Sequence, residues 1–287
     1  MKAIYKREIK MYFNSMIGYV FIAFFVLITA IYFSIQNIVV LSPDFQNILS
    51  NVIMMFLILG PMLTMRLLSE EKNKKTDQLL LTAPVSIPSI VLGKYFAAVT
   101  VFLISLLITG IFTVILAFFG TVAVAQIIGT YIGFFLLGSA FIAVGLWVSS
   151  ITDNQIVSAV ATFAAIFLLL MVQTIVKAAS GSQVFSLMFA GIIALIIAFY
   201  FYYNTKNSEI SITLFIIEMA VLLILYFVKR SIFTGLAGKF AMMFAVLTRF
   251  QNFAMGLLDV SSIVYFISFI AVFLYFTIRV IEKRRWS

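Results

Sequence analysis

The sequence predicts an all-α polytopic membrane protein with about eight transmembrane helices and both termini in the cytoplasm. Three observations predict it. First, 64% of the 287 residues are apolar and only 10% are charged, where a soluble domain carries about 25% charge. Second, charge-free runs occupy 11–43, 45–65, 95–152, 154–176, 178–205 and 260–278. A bilayer-spanning helix needs roughly 20 apolar residues, so most runs hold one span and the longest holds two. Third, the basic residues cluster on one side of the spans that these runs define.

Residues 1–15 are expected to form a cytoplasmic interfacial helix ahead of a transmembrane domain over 16–287. At about 100° per residue, Lys2, Lys6, Arg7 and Lys10 fall on one arc and Ile4, Tyr5, Ile9, Met11 and Tyr12 on the other. An ordinary basic juxtamembrane tail is the alternative. The first span, 17–40, is too long and uninterrupted for a cleaved signal peptide. The second, 48–68, carries Pro61 after Gly60, which predicts a kink because proline removes an intrahelical bond.

Residues 69–95 form the longest cytoplasmic loop. Glu70, Glu71, Lys72, Lys74, Lys75 and Asp77 are followed by Leu79, Leu80 and Leu81. A short helix is expected over about 71–82, with Pro84 and Pro88 stopping any further helix. Leucines beside charges suit docking to a soluble partner, with the apolar groups buried and the charges on the rim. A solvated loop against the bundle fits the composition equally well.

The third span, 96–119, carries a hydroxyl stripe, Ser105, Thr109 and Thr113. The stripe suits a translocation route, although such hydroxyls also bond back to their own helix. The fourth, 127–149, places Gly129 and Gly133 on one face and Gly138 and Gly145 on the other, predicting close packing on both sides. The fifth is 156–176. Two more follow at 184–203 and 210–228, the latter with Glu218, a carboxylate that would face a pathway or a polar packing partner. Residues 231–259 are too apolar for a free loop. Phe240, Met243, Phe244, Leu247 and Phe250 suggest an interfacial or re-entrant segment at the outer face. The last span is 260–278.

With eight spans and a cytoplasmic N-terminus, only Lys177, Lys229, Arg230, Lys239 and Arg249 of the 19 basic residues fall outside, as the positive-inside rule requires. The net charge of +9 then reflects topology and contact with anionic membrane lipids, not nucleic-acid binding.

Absent residues exclude several activities. There is no histidine and no cysteine, so Ser-His hydrolysis, His-ligated zinc and thiolate chemistry are ruled out, and no metal or catalytic residue is expected. Gly93-Lys94 and Gly238-Lys239 are followed by Tyr95 and Phe240 and lack the upstream glycine of a phosphate-binding P-loop.

One run is specific enough to compare with a known family. R-x-x-S-E-E-K-x-x-K-T-D-Q-L-L-L-T-A-P-V-S, from Arg66 to Ser86, followed by I-V-L-G-K-Y at 90–95, resembles the first cytoplasmic loop of ABC-2-type transporter permeases, closest to the bacterial gliding-motility-like group. S-S-I-T-D-N-Q at 149–155 resembles that group's turn between spans four and five. The stretch 250–266, with E-K-R-R-W at 282–286, resembles its approach to the last span and its C-terminus. The resemblance implies a six-helix core into which a helical hairpin, 184–228, has been inserted. It also implies a multi-pass permease subunit of the bacterial plasma (inner) membrane, an exporter without its own ATPase. Its coupling residues would be Glu70, Glu71, Lys75, Thr76, Asp77, Gln78, Leu79, Leu80, Leu81 and Pro84. Its partners would be a cytoplasmic ABC ATPase subunit, which binds the ATP and magnesium, and a second permease copy or a sister permease. A secondary transporter using Glu218 and a membrane assembly protein without transport are the competing classes.

Overall fold

The structure is a computed structural model that describes residues 1–40, 45–78, 85–119, 122–179, 191, 194–195, 208–228 and 242–286, all of its regular elements being helical. We label them α1 (Lys2–Asn14), α2 (Ile17–Phe33), α3 (Gln46–Val52), α4 (Phe56–Thr64), α5 (Ser69–Asn73), α6 (Ile87–Phe119), α7 (Val124–Ile151), α8 (Gln155–Ala179), α9 (Ser208–Val228), α10 (Val246–Ala254) and α11 (Val260–Trp286). Two compact units are present, Met1–Leu168 with Thr248–Ser287, and Leu169–Leu247.

Six stretches are long and apolar enough to cross a membrane: Ile17–Val39, Asn47–Asn73, Ile87–Phe119, Val124–Ile151, Gln155–Thr174 and Val260–Arg285. A shorter apolar stretch, Ile212–Leu222, lies within α9, where the seventh span is expected. The expected sixth span, 184–203, lies outside the described residues apart from Gly191, Ala194 and Leu195.

In the first unit α7 is the central helix. Its window is 72% buried, against 22 to 56% for the other five. A helix that is apolar all round belongs in such a position, while its neighbours keep apolar outer faces such as Phe24, Leu27 and Ile31 of α2. α11 and α4 pack on α7, and both α1 and α2 pack on α6. The glycines make these approaches possible. A Cβ on Gly133 would lie 2.5 Å from the Cβ of Phe253, and one on Gly129 would lie 3.1 Å from that residue's carbonyl oxygen. On the other side, a Cβ on Gly138 would overlap Phe102 and Phe56, and one on Gly145 would overlap Thr64.

Several elements differ from their expected form. The second span is segmented: α3 passes through a 3-10 turn at Ile53–Met55 into α4, which contains Pro61, and turns at 65–68 lead to α5. The first span ends in a π-helical stretch, Ser34–Val39. The expected helix over 71–82 is instead α5, Ser69–Asn73, with helical geometry resuming at Asp77 and Gln78. It stops because Lys75 adopts a left-handed conformation (φ 55°) and the Thr76 amide returns to the Glu71 carbonyl at 2.9 Å, the geometry that closes a helix C-terminus. The loop expected to run to residue 95 ends at Ser86, because α6 starts at Ile87. Pro88 lies in its first turn, where the missing amide hydrogen has no helical partner to lose. It therefore starts a helix where it was expected to stop one.

Candidate functional site: the charged end of the first unit

The stretch from Arg66 to Gln78 is built around a break in helix. Between α4 and α5 the amides of Leu68 and Ser69 reach the hydroxyl of Ser149 on α7, at 3.2 and 3.1 Å. That hydroxyl donates in turn to the Met65 carbonyl at 3.3 Å. Orphan amides at a helix start need such acceptors, and here one comes from another span.

Lys94, seven residues into α6, is fully buried. Its ammonium has three protons and three acceptors: Glu8 of α1 at 3.0 Å, Glu71 of α5 at 2.9 Å and the Leu67 carbonyl at 2.7 Å. Arg7 closes the cluster, donating to Glu8 at 2.7 Å and to Glu71 at 2.6 Å. Burial alone would lower the Arg7 pKa, yet its bonds to the two carboxylates outweigh this and raise it. Charges this deeply buried persist only when paired and hydrogen-bonded. α1 comes close enough because Gly93 lies beneath Ile4, where a Cβ would sit 3.0 Å from that side chain. Tyr5 adds a bond to Thr100 at 3.0 Å, and Tyr12 donates to the Leu63 carbonyl at 2.7 Å. Burial, with the Glu8 carboxylate second, holds the Tyr12 phenol well above its ordinary pKa, so it remains a donor.

A second cluster lies on the other flank of α5. The Lys72 ammonium bonds to the Ser150 carbonyl and lies 3.6 Å from Asp153. Arg284 of α11 pairs with Asp153 at 3.1 Å and with Asp77 at 3.3 Å. Asn154 accepts the Ile156 amide at 2.8 Å and so caps α8. The stretches around 66–78, 149–155 and 282–286 therefore meet at one end of the unit, together with α1.

Of the residues expected at this site, Glu70 pairs with Arg66 at 2.7 Å and Lys74 at 2.6 Å. Glu71 and Asp77 join the two clusters, Lys75 is exposed, and the Thr76 hydroxyl donates to the Glu71 carbonyl at 3.3 Å. Gln78 is the last described residue before Leu79, Leu80, Leu81 and Pro84, which lie outside the described residues. Lys2, Lys6, Arg7 and Lys10 are exposed on α1, but the face opposite is a packing face of Ile4, Glu8 and Tyr12 against neighbouring helices.

Away from this end, Ser105 and Thr109 are buried and bond back to the Val101 and Leu106 carbonyls at 2.9 and 2.7 Å. Thr109 and Thr113 flank the Tyr131 hydroxyl at 3.3 and 3.4 Å. The stripe is thus occupied by contacts within its own helix and with α7. Glu218 lies in the second unit, with one carboxylate oxygen buried and no hydrogen-bond partner among the described residues. At the expected outer segment, Phe240 is outside the described residues, Met243 and Phe244 are exposed, and Phe250 is buried. α10 ends at Ala254, and Gly256, two residues on, has the positive φ that suits the left-handed turn there.

Sequence reasoning missed Glu8, Lys94, Ser149, Asp153 and Arg284 as site residues. For Glu8 a signal existed: it stands four residues from both Ile4 and Tyr12, on one helical stripe. A family model described as "ABC-2 family transporter protein" matches residues 2–184, which include all of these except Arg284. No curated protein and no solved structure matches the chain.

Proposed function

The chain belongs to the ABC-2 family of transporter membrane proteins, and from that premise we propose that it is the permease subunit of an ATP-driven exporter, of the gliding-motility-like group. Its 66–86 segment docks on a separate cytoplasmic ABC ATPase, which holds the ATP and magnesium. Two permeases, identical or sister chains, enclose the pathway in a bacterial inner membrane. Each has eight spans, cytoplasmic termini, and 184–228 as an inserted hairpin.

The observation that carries this reading is the convergence at the charged end. α5 is ion-paired to α1 and α6 through Glu71, and to the α7–α8 turn and α11 through Lys72 and Asp153. A push delivered to this segment would reach α6 through the buried Lys94–Glu71 pair, and the α7–α8 turn and α11 through the more exposed pairs of Asp153. Surface ion pairs are individually weak, but a buried network has few alternative arrangements and moves as a unit. Leu79, Leu80 and Leu81 follow this anchored segment directly and are its docking face.

The test is a mild-detergent pull-down from native membranes with mass spectrometry of the retained proteins. A near-stoichiometric P-loop ATPase is expected with the wild-type chain, and its loss with Leu79→Ala/Leu80→Ala/Leu81→Ala while membrane insertion persists. Full retention by that variant would remove the docking assignment.

One observation favours a second reading, a secondary transporter: the unpartnered buried oxygen of Glu218. A chain that purifies alone, with flux following an ion gradient and abolished by Glu218→Gln, would establish that reading instead.

A further inference from the structure

A cavity of about 390 Å³ opens between α1 and the end of the second span, within the size range of small-molecule sites. Its wall carries three cations, Arg7, Lys10 and Arg66, and two carboxylates, Glu8 and Glu70. Both carboxylates are already compensated by groups outside the lining. Lys94 holds Glu8 at 3.0 Å and Lys74 holds Glu70 at 2.6 Å. The wall therefore presents excess positive charge.

Two of the cations have capacity left. Lys10 makes no hydrogen bond or ion pair among the described residues. Arg66 uses Nε and Nη2 on Glu70, which leaves its Nη1 edge to bind an acceptor. A guanidinium and an ammonium facing one cavity suit a phosphate. The remaining lining combines apolar or amphipathic Met11, Tyr12, Ile17 and Leu67 with the polar side chains of Asn14 and Ser15. Ile17 opens the first apolar span, so the cavity lies where the charged helix gives way to the hydrocarbon-facing one.

We propose that this cavity binds an anionic phospholipid of the adjacent leaflet, its phosphate on Lys10 and Arg66 and the first part of an acyl chain along Met11 and Ile17. A free inorganic anion would use the cations but not the apolar wall. A zwitterionic lipid would use the wall but bring its own cation against Lys10. Arg66, Leu67 and Glu70 belong to the 66–86 segment, but the ligand comes from the membrane, so its binding is measured without the ATPase. Occupied, it would hold α1 against the end of the second span, beside the Lys94 cluster.

The test is native mass spectrometry of the full-length chain in detergent, titrated with phosphatidylglycerol or phosphatidylcholine of matched chains, and separately with inorganic phosphate. Retention of phosphatidylglycerol about tenfold above phosphatidylcholine is expected, with inorganic phosphate at millimolar concentration failing to displace it. Lys10→Glu, an exposed and unpaired position, should cut phosphatidylglycerol retention about tenfold without lowering that of phosphatidylcholine. Arg66→Lys, which keeps a cation for Glu70 but loses the guanidinium edge, should weaken retention by less. Equal retention of the two lipids, displacement by inorganic phosphate, or unchanged phosphatidylglycerol binding in Lys10→Glu would each overturn the proposal.

Discussion

In the middle of the first unit, Phe56 lies with its ring centroid 5.4 Å from each of Phe102, Phe134 and Phe141, and Gly138 makes the room. At its charged end, Lys94 fills a site of similar burial with one ammonium and three acceptors. The middle is held by shape: many weak contacts, each adjustable by a small shift. The end is held by charge, where each group is costly alone and tolerable only because its partners are present. The middle therefore resists movement gradually, while the end holds one arrangement or gives it up. That difference suits the end, not the middle, to pass on a docking event.

The largest expected effect breaks the charged end. Lys94→Met should destabilise the purified chain by about 3–5 kcal/mol, since it leaves Glu8 and Glu71 sharing Arg7 alone, with one carboxylate charge stranded in a buried site. Thermal unfolding in detergent would read this directly. Adding Glu8→Gln to that variant should recover part of the loss, because one stranded charge goes with it. If Lys94→Met costs less than Gly138→Ala, the contrast between the two regions fails.

The aromatic middle should yield less. Gly138→Ala forces a Cβ into Phe102 and Phe56, and overpacking of this kind costs about 1–3 kcal/mol. The same melting experiment checks it. A neutral result would mean that the rings can withdraw, making the middle softer than its packing implies.

How far each region could be read from the sequence follows the same contrast. The spans are local properties: a run such as 127–149 announces itself by composition, and the glycines of α7 by helical spacing. The segment proposed to dock stands out in the sequence as charges followed by leucines. The pairing of Glu8 with Lys94 was not, because 86 positions separate them and no local pattern links an acid in one helix to a base in another. Lys94 was further hidden by Pro88, read as a stop when its place in the first turn of α6 makes it a start. The Lys75 break is hidden too, since a left-handed lysine has no compositional mark. Ser149 illustrates the third kind of miss. Its hydroxyl closes a gap between α4 and α5 that exists only once the second span has been broken.

The most direct test of the central claim, that Glu71 links the docking segment to α1 and α6, is the ATP turnover of the co-purified permease–ATPase complex with Glu71→Gln. This change removes the charge that Arg7 and Lys94 share and leaves Leu79–Leu81 intact. The account predicts the ATPase retained at wild-type stoichiometry, with the permease's influence on its turnover lost. Wild-type turnover and wild-type dependence on the permease in that variant would contradict it.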